Sequence, residues 1–114
     1  MELTKTGLPD GVVTLALKGR LDAGTSAQAE AAIQDFLGSG GGKLILDLAG
    51  LDYISSAGLR VLLVANKAMM RKAGALALCG AQGNVREVLE VSGFTTLFLM
   101  ADTPEQALAA LRPA

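Results

Sequence analysis

The spacing of apolar residues changes period several times along the chain, and each change marks an element. Val13, Leu15 and Leu17 alternate with Thr14, Ala16 and Lys18, the period of two expected of a strand with one buried face. Residues 2–7 and 12–18 flank Pro9-Asp10-Gly11, a turn signal, so they read as a hairpin at a sheet edge. The period then becomes helical. Ala29, Ala32, Ile33, Phe36 and Leu37 form one apolar stripe that Gly38 closes. At its start, Thr25 with Gln28 three residues on matches a capping box.

Residues 43–49, Lys43-Leu44-Ile45-Leu46-Asp47-Leu48-Ala49, are nearly all apolar, as in a central strand buried on both faces. A long helix is predicted over 56–73, with Arg71 and Lys72 complementing its dipole and Gly74 supplying a left-handed stop. Residues 75–79 read as a second buried strand and 84–92 as a helix closed by Gly93. A short strand over 97–100 leads to a last helix, opened by Thr103-Pro104 with Gln106 in a second capping box. The order is ββαβαβαβα. It predicts one α/β domain over 1–114, with a mixed, mostly parallel sheet, an N-terminal antiparallel edge hairpin and right-handed crossovers.

Composition narrows the function. The 114 residues are 51% hydrophobic, enough for one core and against disorder. Aromatics are only 4%, so aliphatic side chains must fill that core. A net charge of −1 with dispersed Lys and Arg lacks the basic footprint of direct nucleic-acid binding. The start has no signal-peptide apolar region, and the longest apolar stretch, 61–65, is far too short for membrane insertion. Cys79 is the single cysteine, set among Leu76, Ala77 and Leu78, and reads as a small buried hydrophobe in a reducing compartment. A cytoplasmic protein is expected.

The same composition removes chemistry. With no histidine there is no Ser-His-Asp or Cys-His mechanism, and the commonest ligand of catalytic zinc is missing. No CxxC pair or GxSxG elbow exists, though composition alone leaves a Ser-Lys dyad open. The run Gly38-Ser39-Gly40-Gly41-Gly42-Lys43 is no P-loop. Leu37 occupies the first glycine position, Leu44 replaces the Ser or Thr, and a strand follows instead of a helix. No catalytic residue, metal ligand or cofactor is expected.

What remains is Asp52-Tyr53-Ile54-Ser55-Ser56-Ala57-Gly58-Leu59, read as a loop past the central strand that opens the long helix. Ligands gather at that edge of open α/β sheets. A second polar segment, Gly19-Arg20-Leu21-Asp22-Ala23-Gly24-Thr25, leaves the strand 12–18. If the two strands are parallel, Asp22 and Ser56 become neighbours. Ser56 has Leu59 where a capping box would carry Glu or Gln, so nothing reciprocal ties its hydroxyl. The helix start would welcome a phosphate. Equally, Ser55 and Ser56 read as ordinary caps.

The chain resembles the STAS-domain family of SpoIIAA-like anti-sigma factor antagonists. The resemblance rests on Gly19-Arg20-Leu21-Asp22, Leu46-Asp47-Leu48, Tyr53-Ile54-Ser55-Ser56-Ala57-Gly58-Leu59, Val91-Ser92-Gly93-Phe94 and Gln106-Ala107-Leu108. It implies a STAS-like fold and partner switching. The unphosphorylated protein captures an anti-sigma factor, commonly a serine kinase, and so frees a sigma factor. Phosphorylation of the captor releases the kinase, and a metal-dependent, PP2C-type phosphatase reverses it. The phosphoacceptor falls on Ser56, and Asp22, Thr25, Ser55, Ala57, Gly58 and Arg60 accompany it on the implied partner surface. Ser55 stands where the best-studied members have Asp, which makes it an alternative phosphoacceptor. Arg60, one turn on, is placed either to reach a phosphate or simply to face solvent. A STAS domain can also serve as a constitutive subunit of a transporter or another signalling complex. In that case Ser56 is a cap and its helix a docking face.

Overall fold

A computed structural model describes residues 1–8 and 10–112. Its elements are β1 (Glu2–Gly7), β2 (Val13–Leu21), α1 (Ser26–Gly38), β3 (Lys43–Ile54), α2 (Ser56–Arg71) and β4 (Ala75–Cys79). They continue with α3 (Gly83–Val91), α4 (Phe94–Leu97), β5 (Leu99–Ala101) and α5 (Pro104–Leu111). The five strands form one sheet in chain order, β1-β2-β3-β4-β5. Only β1 runs antiparallel to its neighbour, and every later pairing is parallel. The mixed, mostly parallel sheet and the antiparallel edge hairpin match the expectation, and the chain order differs from it only by the added short helix α4. Pro9 of the turn signal lies outside the described residues.

The pleat separates two cores. Leu15, Leu17, Leu44, Leu46, Leu48, Leu76 and Leu78 face α1, α2 and α3, which bury Ile33, Phe36, Leu62, Met69, Val85 and Leu89 against them. Val12, Ile45, Ala77 and Cys79 face the other way, under Ala107 and Leu111 of α5. Central β3 is therefore apolar on both faces from Leu44 to Leu46, and Asp47 interrupts the face toward α5.

Several boundaries differ from the sequence reading. β2 continues three residues beyond 18 and β3 five beyond 49, so Asp52, Tyr53 and Ile54 are strand and not loop. The two extensions exist because they pair with each other: Lys18 opposite Gly50, Arg20 opposite Tyr53, Leu21 opposite Ile54. The ladder breaks step at Ala16/Lys18 and again at Gly19/Arg20, where Gly19 takes a φ of +104°. At both places β3 advances one residue more than β2, so the extra residue lies on β3. Gly38 is the last residue of α1 and not its stop, which comes at Ser39. α2 ends at Arg71, and the left-handed residue after it is Ala73 (φ 57°) in place of Gly74. α3 runs from 83 to 91, with left-handed Gly93 beyond it as expected. Most of the anticipated strand 97–100 is displaced to 99–101, because Phe94–Leu97 closes a short helical turn first.

Candidate functional site

The β2–α1 and β3–α2 connections leave the same edge of the sheet, since β2 and β3 are parallel. Two contacts lock them together. The Ser55 N–H donates to the Leu21 carbonyl at 3.0 Å. Gly58, buried in the first turn of α2, sits so close that a Cβ there would lie 2.8 Å from the Leu21 oxygen and 2.7 Å from Ile54 Cγ1. Any side chain at 58 would push the helix start off the strand ends.

This contact fixes which serine does what. Ser55 is the N-cap, with extended backbone (φ −99°, ψ 178°), and its hydroxyl oxygen accepts the Gly58 N–H at 3.4 Å. Ser56 is the first helical residue and is exposed. Among the described residues its hydroxyl has no hydrogen-bond partner, nor do the N–H groups of Ser56 and Ala57. These are the donors a helix start leaves open, at the positive end of its dipole. No acidic side chain occupies the first turn of α2. The geometry suits an anion at Ser56.

Across the edge, Asp22 is held within its own turn. Its Oδ1 accepts the Gly24 N–H at 3.0 Å, and Arg20 Nε lies 3.5 Å from its Oδ2. Partial burial pushes the carboxyl up, but the Gly24 N–H, the Thr25 hydroxyl and the Arg20 charge outweigh it, so the pKa falls below the ordinary value. Thr25 does not form the anticipated capping box. Its backbone is near-helical (φ −119°, ψ −9°) and its hydroxyl makes no cap bond. The hydroxyl instead donates to the Arg20 carbonyl at 2.8 Å and accepts the Asp22 N–H at 3.0 Å, cross-bracing the loop. Gln28 turns away to donate to the Met1 carbonyl. The backbones at residues 21 and 55 are thus joined, while no hydrogen bond links the Asp22 and Ser56 side chains among the described residues.

Two features lay outside the sequence reading of the site. Arg20 stacks over the Tyr53 ring at 4.3 Å while also facing Asp22, so it ties the two strand extensions together. Sequence put Tyr53 in a loop, which hid the pairing that makes the stack possible. The other is a shallow groove of ≈ 160 Å³ between α1 and α2, lined by Ser26, Glu30, Ala57, Arg60, Val61 and Val64. Arg60 is exposed there and has no ion pair among the described residues. Val64, 43% exposed, continues an apolar stripe away from Ser56. Helical spacing from Ala57 through Arg60 to Val64 was visible in sequence, but the facing wall of α1 was not.

Cys79 lies fully buried in β4, and burial, then the Asp47 charge and hydrogen bond and the Glu105 charge, push its thiol up to about 12. It is a packing residue. No cluster of three or more metal-ligating side chains occurs among the described residues, and none of their helices is long and apolar enough to cross a membrane.

The sequence matches the STAS domain family over residues 5–107. It is 40% identical to BtrV of Bordetella bronchiseptica, named as an anti-sigma factor antagonist, over all of this chain and 97% of that protein. Among solved structures, a Thermotoga maritima protein named as an anti-sigma factor antagonist superposes with a TM-score of 0.92 at 24% identity, covering 97% of this chain and 95% of that one. The Bacillus cell fate determinant SpoIIAA in its phosphorylated form superposes with a TM-score of 0.76 at 23% identity, covering 97% and 100%.

Proposed function

The chain belongs to the STAS domain family, and from that premise we propose that it is an anti-sigma factor antagonist switched by phosphorylation of Ser56. One observation carries the choice of residue. At the start of α2, Ser55 holds the cap and Ser56 leaves its hydroxyl exposed and unpartnered among the described residues. A kinase reaches Ser56 without undoing the helix. The Ser55 hydroxyl is instead already engaged in the cap, accepting the Gly58 N–H.

In the unphosphorylated state the edge formed by Asp22, Thr25, Ser55, Ser56, Ala57, Gly58 and Arg60 receives the anti-sigma factor, a serine kinase. A phosphate on Ser56 adds roughly −1.5 to −2 charges at the centre of that surface. The open N–H groups and the dipole of α2 accommodate the charge within this protein. The partner, packed against the same spot, meets a bulky dianion and leaves. A PP2C-type phosphatase resets the site. The protein acts by binding and performs no reaction of its own.

Intact-mass and peptide spectra of the protein from its native host, beside Ser56→Ala and Ser55→Ala variants, test this. The expected result is a gain of roughly 80 Da, one phosphoryl group, mapped to Ser56 and lost only in Ser56→Ala. A gain mapped to Ser55 would overturn the site assignment. No gain under any growth condition would favour constitutive docking on a transporter.

A further inference from the structure

The opposite face of the sheet carries a second cavity, remote from Ser56. It measures ≈ 290 Å³, near the lower end for small-ligand sites, and opens between β1, β2, β3 and the first turns of α5. Leu8, Ala16, Pro104 and Leu108 make its apolar wall, while Asp47 and Glu105 bring two carboxylates to it. Among the described residues no lysine or arginine lines it. The nearby turn-to-helix ion pair is already closed on itself, with Arg112 Nη2 2.7 Å from Asp10 Oδ2.

Thr14 supplies an independent sign that this wall faces a ligand. It stands on the cavity wall at 8% exposure, and among the described residues its buried hydroxyl oxygen has no hydrogen-bond partner. Buried polar atoms of that kind are rare in native proteins and call for a specific explanation. Asp47 on β3 and Glu105 in the first turn of α5 reach the cavity from two different elements. Asp47 Oδ1 is engaged by the Ala49 N–H at 3.0 Å, and Glu105 has no ion pair among the described residues.

We propose that this cavity binds a small organic ammonium, with its alkyl or ring body against Leu8, Ala16 and Leu108 and its charged head toward Asp47, Glu105 and Thr14. An ammonium offers three N–H donors, matching two carboxylates and one hydroxyl acceptor. A bare divalent cation fits poorly, because the described residues bring no third metal-ligating side chain and half the wall is apolar. The site is independent of the switch on the other face, so either can fail alone.

Amide NMR titrations of the whole chain with hexylammonium, hexanoate and hexanol decide the matter. Saturable shifts at Thr14, Asp47 and Leu108 with hexylammonium alone, leaving Ser56 to Arg60 unmoved, are expected. Glu105→Gln should weaken binding about tenfold, the loss of one charge-assisted contact. Thr14→Val, which keeps the shape and removes the hydroxyl, should weaken it by a smaller factor with the fold intact. Equal shifts with hexanol or hexanoate, no saturable shift with hexylammonium, or unchanged binding in Glu105→Gln would overturn the proposal.

Discussion

The starts of α2 and α5 begin with the same ingredients and end in opposite states. Each opens with an extended hydroxyl-bearing cap, Ser55 or Thr103. At α5 the cap is reciprocal: Thr103 Oγ1 accepts the Gln106 N–H at 3.1 Å, and Gln106 Oε1 accepts the Asp102 N–H at 3.1 Å. Pro104 has no N–H to satisfy, and Glu105 already meets the dipole. At α2 a single 3.4 Å bond to Ser55 does the capping, and the next hydroxyl, on Ser56, has no partner among the described residues. A saturated helix start serves the fold. The other, with Gly58 packed tightly against Leu21 and Ile54, leaves its first N–H donors open.

The largest effect should come from the contact that holds the open start in place. Gly58→Ala forces a methyl toward the Leu21 carbonyl oxygen, which side-chain motion cannot relieve. A loss of about 1–3 kcal/mol is expected in urea unfolding, despite alanine's better helix propensity. A neutral result would mean that the two connections are not locked.

Next come the caps themselves. Thr103→Ala should cost about 1 kcal/mol. Ser55→Ala, losing one long bond, should cost about half that. Equal losses in the two unfolding curves would erase the contrast between the helix starts. Ser56→Asp should leave stability unchanged or raise it by about 0.3–1 kcal/mol, since the dipole of α2 meets no acidic side chain there. A clear drop in its melting temperature would show that the site rejects an anion.

The smallest effect concerns Asp22, whose folded pKa is depressed. Its contribution to stability is present above the ordinary carboxylate value and is lost as pH falls through the lowered folded one. The stability difference between the wild type and Asp22→Asn should therefore shrink on acidification, as read from urea midpoints at about pH 7 and about pH 3. A difference that grows in acid would contradict the bonding described for the turn.

Short-range signals explain what sequence could reveal. Alternation around Leu15, the apolar run of β3 and the Thr103-Pro104-Gln106 cap depend on neighbours in the chain, and all are present as read. The misread features depend on partners far away. Asp52 and Tyr53 look like loop residues until β2 continues alongside them. Thr25 has the sequence of a cap, but the Arg20 carbonyl and Asp22 N–H claim its hydroxyl. Ser55 and Ser56 are equivalent as letters. What separates their roles is the Ser55 N–H bond to Leu21, which sets where the helix begins. The groove beside Ser56 needs Ser26 and Glu30 from α1, and nothing local places them opposite Arg60.

The central claim is that a phosphate on Ser56 changes binding and not folding. The most direct measurement compares partner affinity by calorimetry for the fully phosphorylated and unphosphorylated protein, with amide NMR spectra of both. The account predicts a loss on the order of 100-fold, about 2.7 kcal/mol, with spectral changes confined to residues around the start of α2. Equal affinity of the two forms, or a phosphorylated form that has lost its fold, would contradict it.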